Sequence, residues 1–446
     1  MSKVVTRIPP SPTGRLHIGT ARTALFNYLF AKHAGGTVLF RSEDTDRARS
    51  TQEHETEIVE GLQWLGLSWD SFSRQSERTA RYTELLEKIV AEDKAYVSHE
   101  PSLHDATVML DVVRLKNPGK TITFTDLVRG DITFDTNELG DFVIARSRTD
   151  ALYHFAVVVD DMDGGVTHVI RGEDHISNTP RQILIQEALG ASRPAYVHLP
   201  LILDAKRAKL SKRTGATSVM DYRAEGLLPE ALINYFALLG WNPGTTDEYF
   251  SLAQLVELFS LDGVQKGGAV FDRTKLESVN QHWMRKLSDT EFFNRLDIPP
   301  GPHFDTQKIM QAVPLLKDRA HTFAEAREML TGELSCLFSE PVLAREVLVT
   351  KEPADRPGLT KSALEGLLEP LKALGEGLSP QAVKDTLMPL ADAEEVKGKG
   401  GRGGTLWPLR YALSGQERSP DPFTLVSILG TAESISRIQK AIVILA

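Results

Sequence analysis

The sequence predicts an α/β protein: a doubly wound parallel sheet interrupted by an α+β insertion and followed by an all-helical region. Three observations predict it. Strand and helix periods alternate over residues 4–65, β-branched and polar residues alternate around turns over 121–147, and helical patterning fills the chain after about residue 300.

The first element is a strand over residues 4–8 (VVTRI), stopped by Pro9 and Pro10, which cannot donate to a ladder. From Thr20 to about His33 the period is helical, with Ala24, Leu25, Tyr28 and Leu29 on one side. Gly35-Gly36 turns the chain into a second strand, Thr37–Phe40, and an acidic amphipathic helix spans about Thr51 to Leu65. After the antiparallel insertion, the parallel sheet is expected to resume with strands at Phe155–Val159 and Thr167–Ile170. Helices are expected at 179–189, 228–240 and 251–258, and the later helices are expected to break at prolines and glycines. Gly398–Gly404 reads as a loop. The expected division is 1–95 and 151–200 for the two halves of the sheet domain, 96–150 for the insertion, 201–300 for a junction domain and 301–446 for the helical domain.

Composition narrows the function. At 446 residues the chain exceeds what one core usually serves, and its 41% hydrophobic and 25% charged residues are ordinary for a globular protein. No run approaches ~18 apolar residues, and the start MSKVVTRIPPSPTG lacks a secretory pattern, so a cytoplasmic, non-membrane protein is expected. The single cysteine, Cys336, excludes an intramolecular disulfide framework and a Cys-rich zinc site. A net charge of −9 argues against a general polyanion binder, although basic stripes at Lys206–Arg213 and Lys397–Arg402 leave local nucleic-acid contact open.

Chemistry concentrates in two segments. In RIPPSPTGRLHIGTARTALFNY (Arg7–Tyr28) a strand ends, a Pro/Gly-rich loop follows and a helix begins near His17-Ile18-Gly19. A helix N-terminus offers unpaired N–H groups and a positive dipole end, Gly14 and Gly19 permit close backbone approach, and His17 can donate to phosphate oxygens. In AKLSKRTGATSV (Ala208–Val219) two lysines and an arginine beside Gly215 form a cationic loop suited to polyphosphate. Alone, the first segment reads more readily as an ordinary capped connection and the second as a solvated basic loop; their pairing across a parallel sheet favours a nucleotide site.

HIGT and KLSKR resemble the HIGH and KMSKS signatures of class I aminoacyl-tRNA synthetases. RIPPSPTGRLHIGTARTALFNYLFA, SEDTD, LVRGDITF, VVVDD, THVIRGEDHISNTPRQ and LPEALINYFALLGW closely resemble bacterial glutamyl-tRNA synthetases, over nearly the whole chain and more weakly after about residue 300. The resemblance implies a Rossmann-type catalytic domain using ATP and Mg2+, with L-glutamate and tRNA-Glu (possibly also tRNA-Gln) as partners of a monomer. ATP binding falls to Pro10, Ser11, Thr13, Gly14, His17, Gly19 and Thr20 in the first segment, and to Lys209, Leu210, Ser211, Lys212 and Arg213 in the second. His17, Gly19, Lys209 and Lys212 would stabilise charge during adenylate formation.

Glutamate carries two carboxylates and one ammonium, so its pocket needs cations and an anion. By resemblance, Arg7 and Arg171 take the carboxylates, Glu43 takes the ammonium, and Tyr153 and Ser11 complete the pocket; Arg7 with Tyr153 is favoured for the γ-carboxylate. The plainer expectation pairs Arg7 and Arg171 with Glu43, Asp44, Glu173 or Asp174, makes Asp160-Asp161 a turn cap and keeps His175 and Asn178 structural. The insertion would face the acceptor end and the helical domain the anticodon. Trp407–Tyr411 offers groups for unstacked bases, with core packing of Trp407 the favoured reading. The chain departs from many relatives in lacking the insertion's zinc-binding cysteines, so no zinc is expected, and His99 and His104 read as surface residues. A paralogue resembling only the catalytic half is disfavoured by the long helical tail, and glutaminyl-tRNA synthetase by its different loop and β-barrel.

Overall fold

Strand β1 (Val5–Ile8) buries Thr6, Arg7 and Ile8, and helix α1 (Ile18–His33) lies against it through Ala24, Leu25 and Leu29. The turn after α1 depends on glycine. Gly35 takes φ +60, and a Cβ on Gly36 would stand 2.3 Å from the Val4 carbonyl oxygen. Strand β2 (Thr37–Ser42), helix α2 (Gln52–Trp64) and strand β3 (Ser71–Arg74) follow, giving a parallel sheet in the order β1-β2-β3. This computed structural model describes all residues except 1–2, 102–106, 211–217, 299–303, 350–355, 376 and 394–400. The chain divides into two units, Met1–Asn280 and Gln281–Ala446.

After helix α3 (Thr79–Ala91), strands β4 (Ala95–Pro101) and β5 (Met109–Leu115) pair antiparallel. Strands β6 (Thr121–Asp126) and β7 (Gly130–Asp135) form the expected antiparallel hairpin, β8 (Phe142–Ser147) pairs with β5, and β9 (Asp150–Ala151) pairs with β8. The hairpin is more than an appendage: Asp126 of β6 pairs in parallel with Tyr196 of β11 (Ala195–Leu199), giving the order β10-β11-β6-β7, where β10 is His168–Gly172. Thr167 joins this sheet to the first, its N–H donating to the Val5 carbonyl at 3.0 Å and its hydroxyl accepting the Val5 N–H at 2.9 Å.

Residues 155–159 correct the sequence reading. They lie in helix α4 (Tyr153–Asp163), where Phe155 to Asp161 are all buried. A helix covered on every side loses its polar stripe, so the run FAVVV has no period to distinguish it from a buried strand. The helices expected at 179–189, 228–240 and 251–258 are found at Thr179–Leu189 (α5), Pro229–Leu238 and Leu252–Leu258.

The second unit is helical, with no strand among its described residues. Its core includes Leu316, Leu364, Leu371, Leu387, Leu409, Val426 and Ile438. Prolines break it less than expected: Pro314, Pro370, Pro389 and Pro408 lie inside helices. Each costs one backbone bond and about 3 kcal/mol of helix propensity, which the buried leucines of the same helices offset. For the same reason Gly401–Gly404, expected in a loop, opens the helix Gly401–Ser414; residues 398–400 of that stretch lie outside the described residues.

Candidate active site

A cleft of about 600 Å³ opens beyond the carboxyl ends of β1 and β10. Arg7, Pro10, Ser11, Thr13, Gly14, His17, Gly19 and Thr20 line it from the first segment. Glu43, Tyr153, Arg171, Lys209 and Leu210 join them from four separate places in the sequence. Ser211, Lys212 and Arg213 lie outside the described residues.

The loop before α1 is braced by backbone bonds. The Pro10 carbonyl accepts the Glu43 N–H at 2.9 Å, the Pro12 carbonyl accepts the Thr51 N–H at 3.1 Å, and the Leu16 carbonyl accepts the Val219 N–H at 2.8 Å. Arg15 holds Glu57 and Asp221 at 3.0 and 2.7 Å, tying the loop to the chain that follows the second segment. The helix N-terminus differs from expectation. His17 is its cap, and the Nδ1 atom accepts the Gly19 and Thr20 N–H groups at 3.1 and 3.3 Å. Those donors are therefore engaged by imidazole. An accepting Nδ1 puts the proton of the neutral ring on Nε2, which can donate to the Thr20 hydroxyl 3.0 Å away. Gly19 permits this fold-back, since a Cβ would stand 3.1 Å from two ring atoms. Lys209 reaches across the cleft mouth to Asp174 at 2.9 Å.

The two pocket arginines have different surroundings. Arg7 donates from Nε to Asp161 at 3.2 Å and from NH1 to the Ile170 carbonyl at 3.4 Å. Arg171, also buried, donates among the described residues only to neutral acceptors: His198 Nε2 at 3.1 Å, Gln182 Oε1 at 2.7 Å and Thr179 Oγ1 at 2.8 Å. Burial lowers the Arg171 pKa, against opposing contributions from Tyr153, Tyr196 and Asp161. The four carboxylates expected to neutralise these arginines are engaged elsewhere. Glu43 pairs with Arg41 at 2.9 Å, Asp44 accepts the Ser76 N–H at 2.8 Å, Glu173 accepts the Leu201 N–H at 2.8 Å, and Asp174 holds Lys209.

Tyr153 sits between these charges, its hydroxyl 3.4 Å from His175 Nδ1, and burial followed by the Glu43 charge pushes its pKa up to about 12. Burial also pushes Glu43 above the usual carboxylate range, against the pull of Arg41. His175, expected as structure, lines the cleft, and Asn178 holds its ring at 3.1 Å. Burial and Arg171 lower the His175 pKa to about 4.

Sequence reasoning missed the network behind the pocket. Arg41 donates to Asp161 at 2.6 Å, and Asp160 receives Tyr82 at 2.9 Å and Gln75 at 2.8 Å. Burial drives Asp161 upward, but the Arg7 and Arg41 guanidiniums outweigh it and hold its carboxyl low. Asp160 and Asp161 are thus buried partners of site residues rather than a turn cap; the signal was two adjacent acids ending an apolar run. Arg22 was missed too. It lines the cleft, donates to the Pro200 and Leu239 carbonyls, and its pKa is lowered by burial to about 10.

Among the described residues no group of three or more His, Cys, Asp or Glu is arranged for a metal ion. His99 holds Asp111 at 2.7 Å, and His104 lies outside the described residues. In the second unit Trp407 donates its indole N–H to the Val347 carbonyl at 3.2 Å, with Arg410 stacked 4.6 Å from its ring. Of the Lys397–Arg402 stripe, Arg402 pairs with Asp392 at 2.8 Å, and residues 397–400 lie outside the described residues. No described helix is long and apolar enough to cross a membrane.

Comparison with known proteins agrees with this geometry. Residues 3–104 and 106–278 match the family of class I tRNA synthetases (E and Q), catalytic domain, and residues 276–442 match an anticodon binding domain. A glutamate–tRNA ligase of Mesorhizobium japonicum is 40% identical, with 99% of each chain covered. One from Carboxydothermus hydrogenoformans is 38% identical over 98% of this chain and 99% of its own. The crystal structure of a glutamate tRNA ligase from Elizabethkingia meningosepticum in complex with its amino acid superposes with a TM-score of 0.84, at 30% identity and with both chains fully covered. Full-length coverage excludes a relative of the catalytic half alone. Buried cations at the strand ends, a capped HIG turn and matches across both units agree: this chain belongs to the glutamate–tRNA ligases, a family of class I tRNA synthetases.

Proposed function

We propose that the cleft binds ATP over Pro10–Thr20 and Lys209–Arg213, binds L-glutamate among Arg7, Ser11, Glu43, Tyr153 and Arg171, and forms glutamyl-adenylate for transfer to tRNA-Glu. The observation that carries the glutamate assignment is Arg171, a buried guanidinium with three neutral partners and no carboxylate partner among the described residues. A buried cation without a counter-ion is costly, and a substrate carboxylate supplies the missing charge. This favours Arg171 with Tyr153 for the γ-carboxylate, in place of Arg7, whose charge Asp161 already matches. Burial raises the Glu43 pKa against the pull of Arg41, and a substrate ammonium beside it favours its charged form further.

The glutamate α-carboxylate oxygen attacks the α-phosphorus as the bond to the β-phosphate oxygen breaks, releasing pyrophosphate. A ribose hydroxyl at the tRNA 3′ end then attacks the carbonyl carbon and AMP leaves. His17 and Lys209, which line the cleft, would stabilise charge on the phosphates, with Lys212 assigned the same task, so catalysis is positioning plus charge stabilisation. Mg2+ would enter with ATP and would supply neutralisation of the phosphate charge. As such an enzyme the chain acts in the cytoplasm, as a monomer.

The test is transfer of labelled glutamate or glutamine to tRNA-Glu, tRNA-Gln and tRNA-Asp, tried separately. Glutamate on tRNA-Glu is expected; glutamate on tRNA-Gln as well marks a non-discriminating enzyme, and no charging of any tRNA refutes the proposal. Arg171→Ala is expected to raise the glutamate KM by roughly a hundredfold, since a charged hydrogen-bond partner is lost, while the ATP KM holds.

A further inference from the structure

We infer that His198 and Asp126 are positioning residues for glutamate recognition, which aim Arg171 into the cleft while leaving its charge free for the substrate. The inference rests on the reading that Arg171 binds a substrate carboxylate. Neither residue lines the cleft, and both are buried, His198 at 0% and Asp126 at 1% exposure. They therefore act through Arg171 rather than on the substrate.

The chain of bonds fixes one proton arrangement. Arg171 Nε–H donates to His198 Nε2 at 3.1 Å, which requires the imidazole proton to sit on Nδ1. Nδ1 lies 2.7 Å from Asp126 Oδ2, and that oxygen also accepts the His198 backbone N–H at 2.9 Å. Asp126 Oδ1 accepts the Val128 and Arg129 N–H groups at 3.0 and 2.9 Å, so the β6–β7 turn locks the carboxylate. Arg171 further lies 5.9 Å from the Tyr196 ring centroid, on the strand that carries His198.

The chemistry of the acceptor matters. A carboxylate in the place of His198 would match the Arg171 charge, as Asp161 matches that of Arg7, and so compete with the substrate. A neutral imidazole gives the guanidinium direction without neutralising it. The anion is one bond removed, at Asp126, where it sets the tautomer. A purely packing role for His198 would not need that tautomer.

The test uses the full chain in aminoacylation of tRNA-Glu, with kcat and the KM for glutamate and for ATP measured separately. In Asp126→Asn the amide can donate to Nδ1, moving the ring proton to Nε2 and setting it against the Arg171 Nε–H. The glutamate KM should rise about tenfold or more, with the ATP KM within about twofold and the melting temperature near that of the parent. His198→Gln, which retains an acceptor oxygen, should keep lower glutamate KM than His198→Leu, which fills the space without one. Equal behaviour of Gln and Leu, an unchanged glutamate KM in Asp126→Asn, or a proportional change in both KM values overturns the inference. Arg171→Ala separates the two levels. If it leaves the glutamate KM unchanged, the substrate reading fails and the inference falls with it; if it raises that KM while Asp126→Asn does not, only the inference fails.

Discussion

Arg7 and Arg171 occupy matching places on β1 and β10, and the sequence placed both at the site because an arginine at a strand's carboxyl end is visible in a strand–turn pattern. Their partners were not visible. Asp161 lies 154 positions from Arg7, and His198 and Asp126 are 72 positions apart, so no local spacing announces either contact. Histidines near the pocket give a prediction at this scale. His154 and His175 have pKa values lowered from 6.5 to about 4, chiefly by burial. The unfolded chain therefore binds protons first as pH falls. The stability these two supply is complete above about pH 6.5 and is lost progressively toward pH 4. Urea unfolding from pH 7 to 5 should show declining stability, with a shallower slope in His154→Gln; an unchanged slope counts against it.

Among the elements, α1 shows how one glycine serves chemistry at the expense of the helix. Gly19→Ala should add up to about 1 kcal/mol of helix propensity, yet its Cβ, 3.1 Å from the His17 ring, shifts the cap. Thermal unfolding is expected to hold or rise slightly while kcat falls by about tenfold or more, the scale of a displaced transition-state donor. A parallel loss of melting temperature would point to simple packing damage. The boundaries of α1 and α2 were readable because each keeps a polar face or a recognisable start, such as the Thr51 cap on α2. Helix α4 was misread for the opposite reason: buried from Phe155 to Asp161, it carries no amphipathic signal.

The whole molecule contains two units with separate buried cores, divided at Asn280. Differential scanning calorimetry should resolve two transitions, and an ATP analogue with glutamate should raise only the one belonging to Met1–Asn280. A single transition shifted as a block would contradict this. The two-part plan was legible as a change from alternating periods to continuous helix, whereas the pairing of β6 with β11 was not, because a hairpin's alternation does not reveal its outer neighbour.

That sheet order also bears on synthesis. The edge of β1 is covered through Thr167, 162 residues after Val5. At roughly 5–20 residues per second, a ribosome needs on the order of ten seconds or more to supply it. Through that interval the nascent chain carries an open edge on β1, the strand that bears Arg7, while β10 with Arg171 has yet to be made. The cleft that holds Arg7 and Arg171 therefore cannot close until β10 is made, and until then β1 has only β2 and α1 beside it.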